Sequence, residues 1–188
     1  MSATAAPNGL QAVNHPSGTV RPTVLRDGIL STYGTAILQN QAVKLQTAGV
    51  IQAAAAGDSF IGTFIGVMYT GTDGRPVVSN QWTASTAYIA GTCQAFFTQD
   101  PTISYHIETD GTVAQALIGA QVDISNAADG STTTGLSAQT CSATASGGTG
   151  QLRVLGKADL PDNEWGDAFV VLRVQPAEHQ YVATIAEI

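Results

Sequence analysis

AVKLQTAGVIQAAAAGDSFIGTFIGV, residues 42 to 67, is the densest apolar segment of the chain. Val43 and Leu45 alternate with Lys44 and Gln46, the period of a strand with one buried face. Thr47-Ala48-Gly49 supplies a turn in which Gly49 can take a positive φ without steric cost, and Val50-Ile51 starts the return strand. Ala53 to Ala56 offers one helical turn, which Gly57-Asp58 stops. Phe60, Ile61, Phe64, Ile65 and Val67 follow, with Gly62 and Gly66 between them. This β-branched and aromatic content predicts strand, with the glycines as bend or bulge points. The expectation is the wall of a small β-barrel or sandwich with nothing catalytic in it.

Outward from this block the same grammar repeats. Met68-Tyr69-Thr70 runs into Gly71-Thr72-Asp73-Gly74, a hairpin turn signal, and Val77-Val78 returns. Ile29 to Leu38 leads into the first firm strand, and Tyr88 to Ala90, Cys93 to Phe97 and Ser104 to Glu108 read as strand pieces. So do Gly119 to Ile124, Gln151 to Leu155 and Phe169 to Val174, with an edge at Tyr181 to Ile185. Residues 107 to 116 echo 45 to 53 as strand, Gly-containing turn and strand, which predicts a second hairpin of the same kind. Strands at short spacing, Gly-rich turns and no amphipathic helix define an all-β domain.

The ends of that domain differ in character. Residues 1–31, punctuated by Pro7, Pro16 and Pro22, read as an extended N-terminal arm, and 32–188 as a single β domain. Within it, residues 125–150 form a Gly/Ser/Thr-rich run that reads as a surface loop. At 188 residues, one domain with an arm and an excursion fits the length.

Charge narrows the partners. Only 11% of residues are charged, against about 25% in ordinary globular chains. Seven Lys and Arg face 14 Asp and Glu, for a net charge of -7. Seven scattered cations make a poor phosphate-binding surface, so no nucleic-acid partner is expected. No apolar run reaches the ~18 residues of a membrane span, and the N-terminus lacks a basic start and apolar centre. The expectation is therefore no membrane partner and synthesis in a cytoplasm.

Tests for chemistry fail one by one. GQLRVLGK at 150–157 has five residues between its glycines and Ala158 in place of a magnesium-binding hydroxyl, so it is no phosphate loop. Gly57-Asp58-Ser59-Phe60 has the opening of the Gly-Asp-Ser-Leu hydrolases, but the late His179 follows Pro176-Ala177-Glu178 rather than Asp-x-x. No GxSxG elbow occurs either. Asp159, Asp162, Glu164 and Asp167 are dense in oxygen ligands, yet their spacing does not fit a calcium hand loop, and an acidic turn over Trp165 explains them. His15, His106 and His179 stand alone, and Cys93 and Cys141 lack metal spacing and read as buried thiols. No catalytic residue, metal or cofactor is expected.

Two segments carry a resemblance. Val43-Lys44-Leu45, Gly49-Val50-Ile51-Gln52-Ala53-Ala54, Gly57-Asp58 and Ile61-Gly62-x-x-Ile65-Gly66-Val67 resemble the head decoration (cement) proteins of tailed bacteriophages. Gln151 to Gly156 with Pro161-Asp162-Asn163-x-Trp165-Gly166-Asp167-Ala168 is similar to phage virion proteins. The resemblance implies a β-tulip-like barrel or sandwich binding the outer surface of a capsid lattice, as a homotrimer, and bridging subunits of the major capsid protein against internal DNA pressure. It implies a virion location, with assembly in the host cytoplasm. Arg21, Pro22 and Arg26 in the arm, with Trp82 and Trp165, are the expected capsid or subunit contacts. The competing readings are a receptor- or glycan-binding fibre or tail module, marked by exposed aromatics, and a small hydrolase.

Overall fold

A computed structural model of the chain describes residues 4–183. In chain order its strands are β1 (Gln11–Asn14), β2 (Thr23–Arg26), β3 (Ala42–Leu45), β4 (Ile51–Ala53) and β5 (Gly62–Thr70). β6 (Pro76–Ser79), β7 (Gln94–Phe97), β8 (Ser104–Glu108), β9 (Gln121–Val122) and β10 (Ile124–Ser125) follow. β11 (Gly130–Ser131), β12 (Leu136–Ser137), β13 (Thr140–Cys141), β14 (Leu152–Lys157) and β15 (Val171–Pro176) complete the series. A short 3-10 turn at Gln115–Leu117 is the one helical element among the described residues.

Five strands pair in the order β1-β8-β15-β14-β9. Six more form a second sheet, β2-β7-β5-β3-β4, with β6 also on β5. β10–β13 and β11–β12 are two-stranded ribbons. Among the described residues all pairings between these strands are antiparallel and no sheet closes into a barrel, so the fold is all-β and consistent with a sandwich.

The opening block is the partition between two cores, and its strand period explains how. Neighbouring side chains of a strand point to opposite faces. Ala42 and Phe60 accordingly enter a cluster built on the five-stranded sheet with Tyr105, Ile107, Leu152, Val154, Leu172 and Val174. Val43 and Ile61, one residue on in each case, enter the other cluster with Ile51, Phe64, Val67, Trp82, Ala95 and Phe97. Both clusters share this wall, which is why the segment is apolar on both faces. The β3–β4 hairpin forms as its pattern predicts, with Gly49 at φ +75° in the turn.

Several expectations are corrected. Residues 107–116 do not form a second hairpin: Thr109 and Asp110 donate their amides to Val170 and Cys141, and Val113 is buried in the first cluster. Residues 88–90 contain no strand, only an isolated bridge from Tyr88 to Gly71. Of the edge expected at 181–185, Tyr181 to Ala183 are turn and coil, and 184–185 lie outside the described residues.

The N-terminal segment is extended, as its prolines require, and pairs within its own chain. Leu10 is fully buried in the first cluster, β1 is an edge of one sheet and β2 an edge of the other. The run 125–150 is likewise more than a surface loop. Ser137, Gln139, Thr140 and Cys141 are buried there, and the Gln139 amide accepts from Ala42 N at 2.9 Å and donates to Ala127 O at 2.8 Å. Hydrogen-bonded polar side chains replace the apolar ones that a sequence reader looks for.

Cys93 lies in the second cluster and Cys141 in the first, both as free thiols. Burial raises the pKa of each, which suits inert packing rather than chemistry.

Candidate functional site

Two connections run side by side where the sheets meet: residues 15–22 between β1 and β2, and 98–103 between β7 and β8. Between them lies a cleft of about 600 Å³, lined by His15, Ser17, Thr19, Arg21, Thr23 and Asp100 among others. That size suits a small ligand or a few residues of peptide.

One wall is tied to itself. His15 Nε2 donates to Asp100 Oδ2 at 3.0 Å, and Nδ1 receives the Ser17 amide at 3.0 Å and the Ser17 hydroxyl at 2.6 Å. The Thr102 hydroxyl and amide, and then His15, hold the Asp100 carboxyl below its ordinary value. Hydroxyl, imidazole and carboxylate therefore stand in the order of a hydrolytic triad. The base is nonetheless disabled by its geometry. A proton moved onto Nδ1 would confront the Ser17 N–H that Nδ1 now accepts, so the tight turn orients the ring instead of freeing a nucleophile. Sequence spacing missed this cluster because Asp100 is 85 residues from His15.

The other wall is uncommitted. Among the described residues, the side chains of Thr19, Arg21, Thr23 and Gln99 make no hydrogen bond or ion pair. Arg21 and Pro22 are thus placed on this cleft, and Arg26 is exposed at the far end of β2. The remaining two expected contacts lie elsewhere. Trp165 is half-buried against the first cluster, beneath the acidic turn, where Lys157 reaches Glu164 at 3.3 Å.

Trp82 is not a surface residue at all. It is 0% exposed, packed edge-on against Tyr69 at 5.9 Å and Tyr88 at 6.0 Å between ring centroids. An aromatic this large is more valuable as core than as contact, since each such ring pair adds roughly 0.5–1.5 kcal/mol beyond burial. Trp82→Phe is expected to lower unfolding free energy by about 1.5 kcal/mol, read from urea denaturation, and to leave partner binding unchanged.

The Gly-Asp-Ser block meets the late histidine, because Phe60 bridges His179 across the parallel pairing. The chemistry still fails. His179 is buried, with Nε2 on Ile61 O at 2.8 Å and Nδ1 accepting from Tyr181 N at 3.2 Å, so neither nitrogen is left for Ser59. Asp58 is a turn residue that accepts from Ala55 N at 2.7 Å and pairs with Lys44 at 2.6 Å. Burial alone would raise its pKa, but the hydrogen bonds from Lys44 and Ala55 and the Lys44 charge outweigh it and keep the carboxyl ionised.

Burial lowers the pKa of His179 against the opposing backbone contacts to Ile61 and Gln99. The folded protein therefore binds this proton less readily than the unfolded chain, whose imidazole titrates near ~6.5. Stability from His179 is full above that value and is lost as pH falls below it. Glu108 and Glu178, both raised by burial, work in the opposite direction, so the comparison must isolate one group. Wild type is expected to lose more stability than His179→Gln between about pH 7.5 and about pH 5, measured by chemical denaturation at each pH.

Comparison with known protein families, curated proteins and solved structures finds no match to this chain. Among the described residues no three His, Cys, Asp or Glu side chains gather as a metal site, and no helix is long and apolar enough to cross a membrane.

Proposed function

We propose that this chain is a structural virion protein that binds the outer surface of the major capsid lattice and stabilises the head, as a homotrimer. The observation that carries this reading is the decoration-protein pattern of residues 42–67, which occupies the shared wall of both cores rather than a variable loop. The unpaired arginines of the N-terminal segment and the self-committed Ser17-His15-Asp100 wall support a binding role over a chemical one. Many modest contacts repeated over a lattice give avidity without one strong site. The test is co-sedimentation of the purified chain with capsids that lack it, together with its copy number in whole virions. Saturable loading and a copy number near that of the major capsid protein are expected. A chain that neither self-associates nor loads would overturn the reading.

A receptor- or glycan-binding module is the second reading, and the cleft with its uncommitted Thr19, Arg21, Thr23 and Gln99 is what favours it. With Trp82 buried, the variant that tests it is Arg21→Ala on a glycan array: a specific glycan lost in that variant, with few copies per virion, would decide for it.

A further inference from the structure

We propose that the cleft and the outer edge of β2 form one continuous site for an extended, acidic segment of the partner, which adds as a strand alongside β2. The identity of that partner as a capsid subunit rests on the proposed function; the site itself rests on three observations.

First, among the described residues β2 ends its sheet, with only β7 beside it. Antiparallel pairing engages alternate residues. The Asp27 amide donates to Cys93 O at 2.7 Å, and the register pairs Leu25 with Ala95 and Thr23 with Phe97, so these residues face β7. The N–H and C=O of Val24 and Arg26 therefore point outward, where an added strand would meet them. Second, β2 opens directly into the cleft, since Pro22 and Thr23 line it. A strand laid along β2 enters the cleft without a turn. Third, each end carries an arginine with no internal use, whereas the carboxylates beside them are engaged, Asp100 by Thr102 and His15 and Asp27 by the Gly91 amide. Arg21 in the cleft and Arg26 at the far end of β2 are exposed, and among the described residues neither has an ion-pair partner. Five residues apart, they span roughly 16 Å of extended chain. In a protein of net charge -7, two unpaired arginines bracketing an open edge select for carboxylates.

A saccharide fits these features less well. The apolar part of the cleft lining is Pro22, Pro101 and Ile103, and among the described residues no Phe, Tyr or Trp ring lines it for a sugar to stack on.

The probe is the peptide acetyl-Thr-Glu-Val-Glu-Thr-Glu-amide, with a counterpart carrying Gln at every Glu, titrated into the full chain with backbone amide shifts followed by NMR. The acidic peptide is expected to move the amides of residues 21–27 and 99–103 saturably, and the Gln peptide to bind about tenfold more weakly. Arg21→Gln with Arg26→Gln should weaken the acidic peptide by about tenfold as well. Val24→Pro removes an outward N–H without touching the β7 ladder and should weaken both peptides; the surface arginine variant stands independently if the proline variant folds poorly. Unmoved amides at 21–27, equal binding of the two peptides, or the same shifts produced by oligogalacturonate instead of peptide would each overturn the site. Wild-type loading onto capsids that persists undiminished in the arginine variant overturns the site and leaves the proposed function standing. Peptide binding at these amides in a chain that does not load onto capsids overturns the proposed function instead.

Discussion

Gly62→Ala is expected to destabilise the protein by about 3 kcal/mol or more, lowering the urea midpoint sharply while a comparable change at Gly49 does little. At Gly62 an added Cβ would fall on the Thr98 carbonyl oxygen, well inside contact distance, and would stand 2.6 Å from the Thr98 carbonyl carbon. These are backbone atoms of the strand connection next door, so no side-chain rotation relieves the overlap. Thr98 is also the centre of a buried hydroxyl chain. Its Oγ1 accepts from Thr63 N at 2.8 Å, and lies 3.1 Å from Thr63 Oγ1 and 2.9 Å from Tyr105 Oη. Tyr105 belongs to the five-stranded sheet and Thr63 to the six-stranded one. Pushing Thr98 aside therefore strains the joint between the sheets and unpairs hydroxyls that have no access to water. Gly49 is the control for conformation alone. It sits at φ +75° with nothing within 4 Å of a Cβ, so Gly49→Ala should cost only about 1 kcal/mol of backbone strain. If the two variants proved equally mild, close approach of the sheets at Gly62 would be wrong.

The contrast between these glycines shows what a sequence can reveal. The hairpin at 42–53 was legible because its pattern is local: two alternating stretches and a turn residue. So were β5, the Asp-Gly turn into β6, β8 and the cores of β14 and β15. Gly62 was recognised as a bend point, but the reason for it is Thr98, 36 residues away and invisible to any local pattern. Trp82 failed in the opposite sense. Its neighbours in sequence are polar, which suggests a surface, while its burial depends on Tyr69 and Tyr88 arriving from other segments. The cleft was half legible. Arg21 and Pro22 stood out as a scarce cation beside a proline, whereas Gln99 and Asp100 join them only through the antiparallel pairing of β2 with β7 and β1 with β8.

Low charge and abundant Ser, Thr and Gln do not reveal which of the polar side chains are buried. Four glutamines, Gln41, Gln121, Gln139 and Gln151, are buried. A glutamine can satisfy two or more backbone groups while filling about the space of a leucine, so it closes irregular segments that form no ladder of their own. That is how the run 125–150 is held without an apolar pattern. It is also why deleting one such amide should rival the loss of a core side chain.

Gln151→Leu makes the case measurable. The Gln151 side chain is fully buried; its Oε1 accepts from Ile124 N at 3.0 Å, and its Nε2 donates to Ala55 O at 3.1 Å and Asp58 O at 2.6 Å. One amide thus ties the start of β10 to the turn at 55–58 within the partition wall. Leucine keeps the volume and removes all three bonds, leaving a buried N–H and two carbonyls without this partner. With roughly 1–3 kcal/mol for each unsatisfied buried group, and partial relaxation toward water, the expected loss is about 3–5 kcal/mol in urea denaturation. Gln151→Glu separates hydrogen bonding from packing. Its carboxylate can still accept from Ile124, but it faces two carbonyl oxygens and must bind a proton to donate to either. The folded state raises that carboxyl's pKa, so the Glu variant should gain stability relative to wild type as pH falls through the raised value, and be weakest at neutral pH. A Leu variant as stable as wild type, or a Glu variant whose deficit does not change with pH, would show that packing alone holds this junction.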